Sequence, residues 1–208
     1  GEQTAQPTDA VIDLIGLEAQ RQGFEVHVAA PGPPPAELES RGFLYHQIHL
    51  PRGGAYPVAA ILSIGSLVRL FARVKPDLVH AVTTRPVVLG GIAARLARVP
   101  AVVFAVAGLG PGIKGSSASP LMRAILRQLY RSALGHPNAR VIVQNRDDLD
   151  YLVSEAGLES NQRLRVWNPP CCHCTTDLRA KIFMNLGARR GDRAHNLPLT
   201  RRVLYQLS

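Results

Sequence analysis

Apolar positions along this chain alternate between helical and strand spacing. Ile15, Ala19 and Gln22 fall on one side of a helix that Gly23 closes at its C′ position. Phe24–Ala30 then alternates as a short buried strand, stopped by Pro31-Gly32-Pro33-Pro34-Pro35. Ala36–Arg41 predicts a short helix ahead of Gly42, and Leu44–Leu50 alternates as a strand near a sheet edge does. After a Pro51–Gly54 loop, Pro57–Val74 predicts a long, largely apolar helix.

The middle of the chain repeats this rhythm three times. Lys75-Pro76-Asp77 is a turn before the continuous apolar run Leu78–Val82. Thr83-Thr84-Arg85-Pro86 opens a helix that runs to about Arg98, with proline near its first position. Ala101–Val106 is a second buried strand, and Gly108-Leu109-Gly110-Pro111-Gly112 a glycine-rich loop. Pro120–Leu134 is helical, Arg140–Val143 a third buried strand, and Asn145 caps a helix through Glu155. Strands alternating with helices at this spacing predict right-handed βαβ units and a doubly wound, Rossmann-like parallel sheet. After Val166 no sustained period of either kind remains, so 167–208 is expected to be an irregular tail outside the fold.

Composition narrows the class. Aromatics make up 5% and charged residues 19% of the chain, so the core must be built from Ala, Val, Leu and Ile, as suits a sheet covered on both faces. The formal charge of +9 is uneven: residues 1–167 carry 17 basic and 13 acidic side chains, residues 168–208 seven and two. The main body is therefore mildly basic, without the stacking aromatics or motifs of a nucleic-acid binder, and no nucleic-acid partner is expected. Gly1–Asp9 is polar and lacks the apolar core of a secretory signal, and the longest uncharged apolar stretch, Pro57–Val68, is too short to span a bilayer. Cys171, Cys172 and Cys174 are clustered rather than spread as a disulfide framework would be, which points to a reducing cytosol. With His173 between them they invite a zinc reading, but adjacent ligands reach poorly around one tetrahedral ion and no distal pair follows, so no metal is expected.

Four segments carry a family resemblance: Gly16–Pro31, Lys75–His80, Phe104–Gly110, and Arg140–Asn145 followed by Asp147 and Asp148. In this order and spacing, over roughly residues 15–166, the chain resembles the amino-terminal half of family 4-like GT-B glycosyltransferases of bacterial surface-polysaccharide synthesis. The resemblance implies an acceptor-side Rossmann-like domain over 15–166, a nucleotide-sugar donor, a lipid-linked or saccharide acceptor, retention of anomeric configuration, and no cofactor or obligatory metal. It implies a cytoplasmic enzyme, peripheral at the inner face of the plasma membrane. It also implies a first strand and glycine-containing loop ahead of the first helix, and Gly1–Leu14 supplies neither. Beyond Val166 it implies a second Rossmann-like domain, with the paired glutamates and basic residues that hold the nucleotide diphosphate. Residues 1–14 and 167–208 are accordingly expected to be atypical ends, produced by frame changes or gene decay, and the chain alone to be inactive. Without a first strand, the strands at Phe24–Ala29 and Asp77–Val82 would lack ladder partners and expose aggregation-prone edges.

Ligands of open α/β sheets bind outside the carboxyl ends of the strands. That rule, with the resemblance, singles out Thr83, Thr84 and Arg85, Gly108 and Gly110 with Lys114, and Gln144 and Asn145 as acceptor-binding candidates. Their hydroxyl, guanidinium, backbone N–H, ammonium and carboxamide groups suit a polyhydroxylated acceptor and its phosphate. Thr84 and Asn145 also read as helix caps. The glycine loop lacks the spacing of a dinucleotide fingerprint, and Pro111 removes a donor N–H. Where many relatives place a histidine before the glycine, this chain has Ala107, so no imidazole role carries over. His80 and His27 lie within apolar strands and are expected to be buried, neutral and structural. Arg123, Arg127 and Arg131 repeat every four residues opposite the apolar side Met122, Ile125, Leu126, Leu129 and Ala133. With Lys114 and no acid over 113–146 they form a candidate patch for an anionic membrane surface. A GT-B sugar-nucleotide epimerase fragment and a non-catalytic lipid- or partner-binding half-domain are the alternatives.

Overall fold

The computed structural model describes residues 15–49, 57–106, 120–143, 146–154, 164–166 and 201–206. Helix α1 (15–21) leads through Gly23, at φ +82°, into β1 (Phe24–Ala30). There follow α2 (Ala36–Ser40), β2 (Leu44–Gln47), α3 (Pro57–Val74) and β3 (Leu78–Val82). Then come α4 (Thr84–Leu96), β4 (Ala101–Val106), α5 (Pro120–Leu134), β5 (Ala139–Val143), α6 (Arg146–Ser154), β6 (Leu164–Val166) and β7 (Arg201–Gln206). The seven strands form one sheet in the order β2-β1-β7-β3-β4-β5-β6, and every described pairing is parallel. The doubly wound, Rossmann-like α/β class expected from the sequence is the architecture found.

Period-two alternation divides each central strand between two cores, as it must when both faces of a sheet are covered. On one face Val79 and Ala81 of β3, Val102, Phe104 and Val106 of β4, and Leu204 of β7 pack under α3, α4, α5 and α6. On the other, Leu78 and Val82, Val103 and Ala105, and Val203 and Tyr205 pack with Ile15 and Ala19 of α1 and with Phe43. The contact is close enough that a Cβ on Gly16 would meet the Phe43 ring at 2.7 Å. Gly91 does the same for the α4–α5 seam, where a Cβ would lie 2.9 Å from that of Ala133 and 3.0 Å from Phe104.

The largest departure from the sequence-based expectation is β7. The tail 167–208 was expected to be irregular and outside the fold, and the first strand to be missing. Arg201–Gln206 instead runs through the middle of the sheet, paired with β1 from Phe24↔Arg201 to Ala29↔Gln206 and with β3 from Leu78↔Val203 to Ala81↔Gln206. The edges that would have been left open on β1 and β3 are thus closed. Val203, Leu204, Tyr205 and Gln206 are all buried, and burying an apolar side chain such as Val203 or Leu204 is worth about 1.5–3 kcal/mol. A six-residue strand flanked by arginines and glutamine gives too short an apolar run to stand out by period alone. Residues 167–200, including Cys171–Cys174, lie outside the described residues.

The amino end of β7 is fixed by the turn that precedes β3. The Arg202 N–H donates to Asp77 Oδ2 at 3.0 Å, the Asp77 N–H donates to the Arg202 carbonyl at 2.8 Å, and the Arg202 guanidinium donates to the Val74 carbonyl at 2.9 Å. Glu25 on β1 forms an ion pair with Arg202, its carboxylate 3.2 Å from Nε, and faces His27 Nε2 at 2.7 Å. His27 Nδ1 in turn lies 2.9 Å from His46 Nε2 on β2, so a polar ladder crosses three strands. Both imidazoles titrate below the ordinary histidine value, mainly because burial disfavours the charged form.

Candidate functional site

In an open sheet of this kind the crevice for a ligand opens where successive strands are laid down in opposite directions. Here that point lies between β7 and β3, because β1 and β2 extend the sheet to one side and β3 to β6 to the other. The carboxyl ends of β7, β3, β4 and β5 therefore define the candidate site.

At the end of β3 the backbone turns sharply. Thr83 has φ +73° and ψ 165°, a conformation uncommon for any non-glycine residue and strained for a β-branched one, at a cost of about 1–3 kcal/mol. The strain is held by its N–H donating to the Ala105 carbonyl at 3.1 Å and its carbonyl accepting from the Val87 N–H at 3.1 Å. Thr83, not Thr84, is the residue preceding α4, and it makes no side-chain capping bond to that helix. The first turn of α4 has no acidic residue and carries exposed Arg85. The positive dipole end of the helix, with this guanidinium, favours an anion at the mouth of the crevice.

Thr84 is directed differently from the sequence-based expectation. It approaches the hydroxyl of Tyr130 on α5, which is buried with Tyr151 and Asp148 of α6 close enough to act on it electrostatically. Burial pushes the Tyr130 hydroxyl up to about 12, with Thr84 opposing part of that shift. Tyr130 and buried Asp148 thus brace the openings of α4 and α6 from within. Asp148 stands in a segment that carries the family resemblance, but nothing there marks it as buried, and a lone tyrosine at a core spacing such as Tyr130 is ordinary in sequence.

The fourth element of the site is supplied by β7. Gln206 is fully buried at the end of that strand, and neither atom of its carboxamide has a hydrogen-bond partner among the described residues. It packs against Gly90 of α4, where a Cβ would collide with Gln206 Oε1. One residue earlier, Tyr205 meets buried His80 edge-on, ring centroids 5.4 Å apart, on the opposite face of the sheet.

Of the acceptor-binding candidates, Thr83, Thr84 and Arg85 stand together at the opening of α4. Gly108, Gly110, Lys114, Gln144 and Asn145 lie outside the described residues. The strands that lead to them are in register with β3, Val82 opposite Ala105 and Val106 opposite Val143, so the chain leaves all three at the same edge. On α5, Arg127 and Arg131 are exposed, and the side chain of Arg123 lies outside the description. Ile125, expected on the apolar side of that helix, is exposed together with Leu121, while Leu129, Tyr130, Ala133 and Leu134 make the packing face. The side chains of Met122 and Leu126 are likewise outside the description.

No curated protein matches the chain in sequence. A family match does exist and spans residues 15–144, well over half of the 208 residues, from α1 to the end of β5. That span contains the strained end of β3 and the anion-favouring opening of α4. The chain belongs to the glycosyl transferase 4-like family.

Proposed function

We propose that this half-domain forms the acceptor side of an enzyme that moves a sugar from a nucleotide-diphosphate donor to a lipid-linked or saccharide acceptor in polysaccharide biosynthesis. The observation that carries the reading is the switch-point edge. Strained Thr83, the amino end of α4 and exposed Arg85 stand side by side, bringing positive charge to the place of a phosphorylated acceptor. The donor would be held by a second domain of the kind that accompanies this half in the family. Residues 15–144 then orient the acceptor but do not neutralise the departing diphosphate, a large share of the catalysis such a transfer needs. Titration of the chain with a short-chain prenyl phosphate tests the acceptor reading. Replacing Arg85 by alanine is expected to weaken binding about tenfold, the loss of one charge-assisted contact worth about 1.4 kcal/mol. Equal affinity of the two proteins would refute it.

The acceptor reading is supported by the outer surfaces of two helices. Val58, Ile61 and Leu62 on the first turns of α3 are 66, 67 and 68% exposed, and Arg69 and Arg73 are exposed further along the same helix. On α5, Leu121 and Ile125 are exposed with Arg127 and Arg131. Apolar side chains flanked by arginines suit the interface of an anionic bilayer, and among the described residues no helix is long and apolar enough to cross one. We propose that the protein works at the cytoplasmic face of such a membrane, as the family resemblance implies. Co-sedimentation with phosphatidylglycerol vesicles is expected to fall several-fold for Ile61→Asp with Leu62→Asp; retention equal to the parent chain's would remove the membrane from the proposal.

A further inference from the structure

The polar ladder on β1 and β2 admits one arrangement of its hydrogens while both imidazoles are neutral. The Glu25 carboxylate, ion-paired with Arg202, has only lone pairs to offer, and it lies 2.7 Å from His27 Nε2. His27 Nε2 therefore carries a hydrogen. A neutral imidazole has a single N–H, so His27 Nδ1 is an acceptor, and His46 Nε2, 2.9 Å away, donates to it. The ring centroids are 5.2 Å apart and the ring planes differ by 16°. With the two nitrogens at 2.9 Å, that separation leaves one ring radius on each side. The rings thus meet nitrogen to nitrogen in almost one plane, in line for a hydrogen bond and not face to face. Both histidines are held as Nε2–H tautomers, and both donate in the direction of Glu25.

Counting protons on this chain gives its limit. One proton at His46 Nδ1 leaves both hydrogen bonds in place, because His46 Nε2 still donates and His27 Nδ1 still accepts. A proton on His27 is also accommodated once His46 moves its own hydrogen to Nδ1 and turns Nε2 into an acceptor. Two protons are not, since His27 Nδ1–H and His46 Nε2–H would then point at each other across 2.9 Å. The strand that would feel this is the short edge strand β2, which pairs with β1 over four residues, His27↔Leu44 to Ala30↔Gln47. Tyr45 also ties it down, its hydroxyl 3.0 and 2.9 Å from the Ala30 and Gly32 carbonyls.

We infer that Glu25, His27 and His46 form a proton-counting latch, which keeps the β1–β2 edge closed with one proton and opens it with the second. Burial is the largest influence against charge on both rings. Glu25 on β1 favours a charged His27 and Arg202 on β7 opposes it, while His27 itself and Arg73 on α3 oppose charge on His46. Both folded-state values are lowered, so the closed edge is complete above the ordinary histidine value of 6.5 and is lost as pH falls below it.

Ring-nitrogen NMR of the ¹⁵N-labelled full chain at pH 7.5 reads the tautomers, and amide hydrogen exchange from pH 7.5 to 5 reads the edge. Both rings are expected as Nε2–H. Protection factors of the 44–48 amides are expected to fall toward a slope of about one decade per pH unit, that of a single opening proton, while β3 and β4 keep theirs. His46→Gln leaves a carboxamide that can serve His27 Nδ1 as donor or acceptor and takes up no proton, so the slope is expected to vanish. The tautomer and the parent's slope do not depend on how the variant folds. The inference is overturned by an Nδ1–H tautomer of either ring at pH 7.5. It is equally overturned by 44–48 amides that hold their protection to pH 5 or lose it only together with β3 and β4, or by the parent's slope persisting in His46→Gln.

Discussion

The two edges of the sheet are built on opposite terms. At the amino edge, polar groups are matched to backbone partners across sequence-distant segments. Asp77 exchanges hydrogen bonds with Arg202, His136 Nε2 lies 2.9 Å from the Val99 carbonyl while its Nδ1 accepts from the Asn138 N–H, and Asn138 Nδ2 donates to the Pro100 carbonyl at 3.1 Å. At the carboxyl edge, Thr83 holds a strained backbone, the Gln206 carboxamide is buried without a described partner, and the first turns of α3 and α5 expose apolar side chains. The first edge holds the strands in register, and the second retains strain and an unmatched polar group, where the proposed ligand would act. On the proposed function, stability and binding are separated along the strand axis, the arrangement that lets loops at one end change without loss of the fold.

The comparison is most severely broken at the amino edge. Asp77→Ala removes the carboxylate that receives the Arg202 N–H and leaves that donor partly buried, an expected loss of about 1–3 kcal/mol, read as a lower urea midpoint with unchanged slope. An unchanged midpoint would mean that the turn does not anchor the central strand.

The pH dependence should come next, and it too belongs to structural rather than binding groups. His27, His46 and His136 all have folded-state values lowered by burial from 6.5. The unfolded chain then binds more protons than the folded one as pH drops past 6.5. Their contribution is complete above that pH and is lost as pH falls from 6.5 toward the lowered folded values. Melting midpoints are expected to decline over that interval, and the decline to become shallower in His136→Gln. A midpoint that rises as pH falls from 7 to 5.5 would contradict the sign.

At the carboxyl edge substitutions should stabilise. Gln206→Met replaces an unsatisfied buried amide by an apolar chain of similar length, with an expected gain of about 1–2 kcal/mol in thermal or chemical melts. Loss of stability there would show that the amide is satisfied in solution. The smallest effect is expected for Thr83→Gly, which relieves the positive-φ strain but adds unfolded-state entropy, for a net change from zero to about +1 kcal/mol. The same variant is expected to bind the prenyl phosphate more weakly, because the turn is no longer held; equal binding would detach the strain from the site.

Much of this was legible in the residues themselves. The continuous apolar runs Leu78–Val82 and Ala101–Val106 and the helices Pro57–Val74 and Pro120–Leu134 are found with the predicted bounds, because a strand buried on both faces and an amphipathic helix each leave a long pattern. Gly23 and Gly42 close helical segments at φ +82° and +75°, as their positions implied. Shorter elements were not legible. Leu164–Val166 has three residues and Arg201–Gln206 only three consecutive apolar ones, too few for any period to declare itself. At the site, Thr83–Arg85 could be singled out because they follow a recognisable strand, whereas the roles of Gln206, Tyr130 and Asp148 could not, because they come from neighbours remote in sequence.

The sequence by itself determined that this is a parallel α/β fold, since hydrophobic spacing is a local property that backbone geometry converts directly into strands and helices. Its order of apolar runs and turns also determined that the strand ends would converge on one edge. Only the tertiary structure decided which segment occupies the centre of the sheet. Ladder hydrogen bonds and core packing select a strand by complementarity in space, and are indifferent to how much chain separates it from its neighbours.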